Sequence, residues 1–302
     1  MKSSVFQKMA VQIIFGVMLM SLPVLGRDLP DIKKDGVLRH LGIPYANFVT
    51  GAGDGMDVEI IQLFAARLGV KYAQVKTDWD SVLEDLTGRQ IKVVEGEVEF
   101  GKTAQIKGDL IANGFTMLPW RQKVVDFSVS TFPSQIWLVA RADSKMTPIK
   151  PTAEIDQNIA AVRALLKGRS VLGLPKTCLD PDVNKLYDTG AQVILFKGKL
   201  NELAPALINN EAELTILDVP DALVALEKWP GKIKIIGPIS RPQQMGVGFS
   251  KASPQLREAF NEFFASIRKD GTYDRLVKKY YPTASYFFPD FFNKNEGGST
   301  TQ

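Results

Sequence analysis

The stretch GDLIANGFTMLPWRQKVVDFS, Gly108 to Ser128, carries the reading of this chain. Its first part, GDLIANGF, is a short apolar run bracketed by glycines, the pattern of a buried strand. Its second part sets Thr116 five residues ahead of Arg121, and Arg121 between Trp120 and an apolar run ending in Asp-Phe-Ser. A guanidinium here has two uses. It can pack on Trp120 and pair with Asp126 as a surface cation, or it can offer a rigid fork of donors to both oxygens of a carboxylate.

The segments before it establish the fold class. DGVLRHLGI predicts a strand, with Val37, Leu38, Leu41 and Ile43 apolar between Gly36 and Pro44. DVEIIQLFAARLGV places Val58, Ile60, Ile61, Phe64, Ala65 and Leu68 at helical spacing, closed by Gly69. KYAQVKT is a second strand, and DWDSVLEDLTG a second helix with Asp78 as N-cap and Gly88 as stop. Strand, helix, strand, helix, strand is the order of an α/β domain with a mainly parallel sheet. Between Gly88 and Gly108 the alternation around Gly96 predicts a two-stranded excursion, read as a solvated hairpin or as a partner surface.

A second α/β pattern starts near Pro148. It predicts a helix through IDQNIAAVRALLKG, a strand at RSVLGLP, a helix opening near Asp180, a strand at QVILFKG and a helix at NELAPALI. LTILD follows as a strand ending on Asp218, then the helix VPDALVALEKW. The chain returns through KIKIIGPISRPQQMGVGFSK to helices from Pro254 to about Lys269 and from Tyr273 to Tyr281. No fixed-period repeat occurs, which argues against a solenoid.

With 302 residues, 45% of them hydrophobic and 23% charged, the chain can bury a real core. Residues 1–26 carry Lys2 and Lys8, an apolar run from Met9 to Leu22, then Pro23 and a small residue at Gly26, the layout of a cleaved secretory signal peptide. That run is shorter than the roughly 20 residues of a spanning helix. Its removal leaves 35 basic and 33 acidic side chains, a balance that implies no nucleic-acid partner. Cys178 is the only cysteine and His40 the only histidine, so neither an intramolecular disulfide nor a zinc cluster is expected. Composition therefore points to an exported, periplasmic protein without cofactor or metal.

In order and spacing, IPYANF, GMDVEIIQLFAARLGV, GDLIANGFTMLPWRQKVVDFS, ILDVPDAL and FNEFFASIRKDGTYDRLVKKYY resemble the bacterial extracellular solute-binding proteins of the polar amino-acid type. These serve ATP-binding-cassette importers. The resemblance spans roughly Gly36 to Pro282 and implies a two-lobed, type II periplasmic binding protein fold. Each lobe is then a mainly parallel sheet flanked by helices, and two extended hinge crossings join them. The expected division is residues 27–141 with 242–302 for lobe 1, including the excursion at 88–108, and 142–241 for lobe 2.

The same resemblance assigns the cleft. Arg121, with Thr116, is expected to grip a ligand carboxylate, and Thr177 to lie ahead of a helix whose amides help bind it. Lys176 stands where the family has glycine, and Leu118 where it commonly has threonine. Asp218 matches the carboxylate that pairs with a ligand ammonium, though it can instead cap the helix that follows. Tyr45 and Trp79 are expected to wall the ligand side chain, and Gly114 to supply a backbone carbonyl. The implied function is capture of an amino acid or similar small carboxylate by lobe closure. The implied partner is an inner-membrane permease complex, and the protein is expected to be a monomer. Two other readings are an accessory binding protein for a membrane sensor or a dehydrogenase, suggested by the excursion and the aromatic tail SYFFPDFF, and an enzyme like cyclohexadienyl dehydratase. Against the enzyme, no nucleophile, base and orienting group occur together.

Overall fold

The computed structural model describes residues 26–94, 96–175 and 177–292. The segment expected to be a signal peptide, apart from Gly26, and Lys176 lie outside them. The described strands are β1 (Val37–Gly42), β2 (Lys71–Lys76), β3 (Arg89–Val94), β4 (Glu97–Thr103), β5 (Leu110–Ile111), β6 (Val125–Phe127), β7 (Phe132–Ser134), β8 (Ile136–Arg141), β9 (Ser170–Gly173), β10 (Gln192–Leu195), β11 (Leu214–Asp218), β12 (Ile233–Pro238), β13 (Gln243–Met245) and β14 (Gly248–Ser250). They form two five-stranded sheets, ordered β2-β1-β5-β14-β6 and β10-β9-β11-β8-β12, and two ribbons, β13-β7 and β3-β4.

The two large sheets share one plan. Three parallel strands come first, and an antiparallel strand fills the fourth place, β14 in one sheet and β8 in the other. Each antiparallel strand is the first that the chain makes after a crossing. The crossings themselves are β7 and β13, paired with each other. Thus β8, expected in lobe 1, is hydrogen-bonded in the second sheet, and the first crossing falls before Ile136 rather than after Arg141.

Most helices stand where apolar spacing placed them. Met56–Leu68 ends at Gly69, whose positive φ of 73° suits a residue without Cβ, and Pro254–Lys269 buries Leu256, Phe260, Phe263, Phe264 and Ile267. Burying each such side chain stabilises the fold by about 1.5–3 kcal/mol. Three expectations change. The helix near Trp79 covers only Val82–Thr87, because the Asp78 carboxylate accepts from the amides of Asp80 and Ser81 and holds a turn ahead of it. No regular helix opens at Asp180. Asn184 turns its side chain back onto the carbonyls of Cys178 and Asp180, Lys185 takes φ 49°, and only a short 3-10 turn, Tyr187–Thr189, follows. A helix not read from the sequence, Leu29–Asp35, is capped by Asp28 and closed by Gly36.

The excursion is the ribbon β3-β4, tied back by Lys123 to the Glu97 carboxylate. The aromatic tail folds onto the hinge region. Phe288 stacks on Trp137 at 6.3 Å, and Phe292 packs on Phe132 at 5.6 Å. Tyr286 alone of these rings stays largely in solvent, 83% exposed.

Candidate functional site

One wall of the cleft is built around Arg121. It lies in the short helix Pro119–Val124, which a proline enters at its first position, where no hydrogen bond is lost and φ is preset. Arg121 Nη1 donates to the Thr116 carbonyl at 3.0 Å. Its Cζ lies 4.3 Å from the ring centre of Phe115, 5.3 Å from Trp120 and 5.6 Å from Trp79. The cation therefore rests against three aromatic faces, an arrangement the ring quadrupoles favour. Half of the surface-cation reading is present in the Trp120 stack. The other half is not, because Asp126 pairs with Arg257. Arg121 is only 3% exposed, and its Nε has no hydrogen-bond partner among the described residues. Burial pulls its pKa down to about 10, so it stays charged at neutral pH.

Gly114 makes the turn that delivers Phe115 and Thr116. It has φ +64°, and a Cβ there would meet the Phe48 ring at 2.3 Å. Its amide donates to Asp57 Oδ2 at 2.7 Å. Burial raises Asp57 to about 7, with the Gly114 amide opposing the shift. Thr116 reaches Arg121 through its carbonyl, so it is the backbone that positions the guanidinium. Tyr45 lies edge-on to Trp79 at 6.0 Å, buried, with its hydroxyl on the side of the Asp218 and Asp221 carboxylates.

The facing wall centres on Asp218, fully buried at the end of β11. One carboxylate oxygen accepts from the Val219 amide at 2.9 Å, so Asp218 caps the helix Val219–Lys228; it also accepts from the Ser134 hydroxyl. The other oxygen accepts from the Cys178 thiol at 3.3 Å. Burial lifts Asp218 to about 7, with the Cys178 thiol, the Val219 amide, the Tyr45 hydroxyl and the Arg121 charge opposing the shift. Burial together with Asp218 pushes the Cys178 thiol well up, leaving it protonated. Thr177 spends its hydroxyl in its own loop, donating to the Leu174 carbonyl and accepting from the Leu179 amide. The helix expected behind it is absent, and so are the helical amides it would offer.

The expected residues gather in one place. Tyr45, Trp79, Gly114, Thr116 and Arg121 form one wall, with Thr177 and Asp218 opposite. Asp218 is close enough to Tyr45 and to Arg121 to shift the ionisation of both. The walls touch where the Ala46 amide donates to Asn201 Oδ1 at 3.0 Å. Three residues were missed. Ser134 sits in a crossing and holds Asp218. Asp221 is buried, and burial plus Asp218 push its carboxyl well up, with the Tyr45 hydroxyl opposing the shift. Asn113 is fully buried with both amide atoms unpartnered among the described residues. Only Asn113, a polar residue ending an apolar strand beside a glycine, left a sequence signal. His40, in contrast, is structural. Its Nε2 lies 2.6 Å from the Ala112 carbonyl and must donate, leaving Nδ1 to accept from Tyr72.

Two sheets of one plan, two crossings and a charged cleft between them define a two-lobed ligand-binding protein. The chain belongs to family 3 of the bacterial extracellular solute-binding proteins, whose profile matches residues 90–283. It is 25% identical over 235 residues to the histidine-binding periplasmic protein of Escherichia coli K12, covering 75% of this chain and 78% of that one. It is 26% identical over 258 residues to the L-cystine-binding protein TcyA of Bacillus subtilis, covering 83% of each. Among solved structures, a mutant of the ArgBP protein of T. maritima superposes with TM-score 0.65 and 25% identity, over 84% of this chain and 99% of that one.

Proposed function

We propose that this protein captures an amino acid or similar small carboxylate in the periplasm, by closure of two lobes about the crossings, and delivers it to an ATP-binding-cassette importer in the inner membrane. The observation that carries the reading is Arg121: a buried guanidinium, held by the Thr116 carbonyl and three rings, with Nε left unpartnered among the described residues. A buried cation needs an anion, and a bound carboxylate supplies one with matched geometry. The periplasmic relatives and the signal-like first 26 residues support the compartment. No helix of the described residues is long and apolar enough to cross a membrane.

The test is calorimetric titration of the mature protein with the twenty amino acids and common dicarboxylates. At least one should bind, and Arg121→Ala should weaken that binding at least about 30-fold, corresponding to roughly 2 kcal/mol or more for one partner of a buried charged pair. Silence across the whole panel and with small peptides that carry a free carboxylate would remove the reading. Import itself is tested by uptake of the identified ligand in cells with and without the gene.

A further inference from the structure

A cavity of about 820 Å³ opens beside the cleft. Its walls are Trp79 and Trp120, Ile91 and Val93 of β3, Pro119, and Val183 on the facing lobe. It shares both tryptophans with the cage of Arg121. None of the residues first expected to bind ligand lines it except Trp79 and Thr177. Two features say what it is suited to hold.

The first is size. At about 30 Å³ per water, 820 Å³ is the space of roughly 27 waters. With its carboxylate left on Arg121, free phenylalanine would bring about 9 non-hydrogen atoms to the space and a phenylalanine dipeptide about 20, so the space fits the larger molecule; it also lies toward the upper end of the roughly 300–1,000 Å³ range of small-molecule sites. The second is chemistry. Val93 and Val183, from opposite lobes, are 39% and 50% exposed yet border the same cavity. The two lysines on its rim already have acidic partners, Lys92 with Glu99 and Lys123 with Glu97, and Asp80 lines the same side while Asp180 and Asp182 line the other. A neutral, flat, apolar group gains most here, from burial and from stacking on indole.

We propose that this cavity is a second half-site that receives an aromatic group attached to the carboxylate held by Arg121. The ligand class is then an aromatic carboxylate of about dipeptide size rather than a free amino acid. The ribbon β3-β4, which otherwise has no role in the cleft, becomes the wall that selects it. This inference rests on the Arg121 reading for its anchor and on the cavity alone for its aromatic group.

The probes are phenylalanine, glycylglycine and phenylalanylphenylalanine, titrated by calorimetry against the mature protein and its variants. The aromatic dipeptide should bind at least tenfold tighter than either of the others. Val93→Asp, at an exposed ribbon position that leaves the core untouched, should weaken the aromatic dipeptide at least tenfold and change any binding of phenylalanine less than twofold. Trp120→Phe should retain more of the dipeptide affinity than Trp120→Ala. Equal affinity for phenylalanine and its dipeptide, an equal effect of Val93→Asp on both, or no binding of the dipeptide overturns the inference. None of these touches the Arg121 reading, which fails separately if Arg121→Ala leaves the affinity of every bound carboxylate unchanged.

Discussion

The two lobes are built on the same sheet plan, yet they meet the cleft in opposite states. Among the described residues Arg121 hydrogen-bonds to the Thr116 carbonyl and otherwise touches ring faces. Asp218 accepts from three donors, a hydroxyl, an amide and a thiol. A buried cation among rings is stabilised but not saturated, whereas a carboxylate with three donors is close to saturated. The arginine is thus prepared for a partner. To meet a ligand ammonium, the aspartate has to give up or share a bond that now joins crossing β7 to the helix Val219–Lys228.

The comparison can be broken most strongly at Arg121. Arg121→Lys keeps the charge but loses the planar fork, and should still cost at least tenfold in ligand affinity by calorimetry. If lysine substitutes freely, the arginine is not a carboxylate fork and the contrast between the lobes loses its meaning.

Gly114→Ala comes next. It combines a positive φ with a clash against Phe48, and should destabilise by about 2–4 kcal/mol, read as a clear drop in Tm. An unchanged Tm would mean that the Phe115–Thr116 turn relaxes without cost and is not a rigid support for Arg121.

The pH dependence sharpens the contrast further. Asp57 and Asp218 both have folded pKa values raised to about 7 against about 3.8 unfolded. The folded state therefore holds more protons between pH 4 and 7, and their contribution to stability falls as pH rises through that window. His40, lowered to about 4, works the other way below pH 6.5. Two acids outweigh one imidazole, so urea midpoints should decline from pH 4.5 to 7.5, and Asp218→Asn should flatten the decline. A midpoint that rises across this range contradicts the burial of the carboxylates.

The smallest effects concern the donors to Asp218. Ser134→Ala should cost about 1 kcal/mol in urea denaturation, and Cys178→Ala less, because a thiol is a weak donor. The reverse order would show that the thiol, not the hydroxyl, secures the carboxylate.

The fold was legible because apolar spacing alternates between strand and helix along most of the chain. Met56–Leu68, Pro254–Lys269 and the strands ending on Ile111 and Asp218 follow from which residues one face must bury. The Asp180 region misled for a physical reason. Leu179, Val183 and Leu186 keep helical spacing, but Arg163 captures the carbonyls of Asn184 and Lys185, and Asn184 captures those of Cys178 and Asp180. One distant and one local side chain there take the acceptors that a helix would need.

The same division holds in the site. Local sequence determined that a lone arginine follows Pro119 and Trp120, that a glycine ends the strand ahead of it, and that an acid ends strand β11; each is a matter of spacing along the chain. Tertiary structure decided what those groups face. It put Phe115, Trp120 and Trp79 around the cation, brought Ser134 from the crossing to Asp218, and set the ribbon β3-β4 beside a cavity that no neighbouring residues reveal. Partners come from strands and loops far apart in the chain, and charge, burial and open space at a cleft depend on which of them packing brings together.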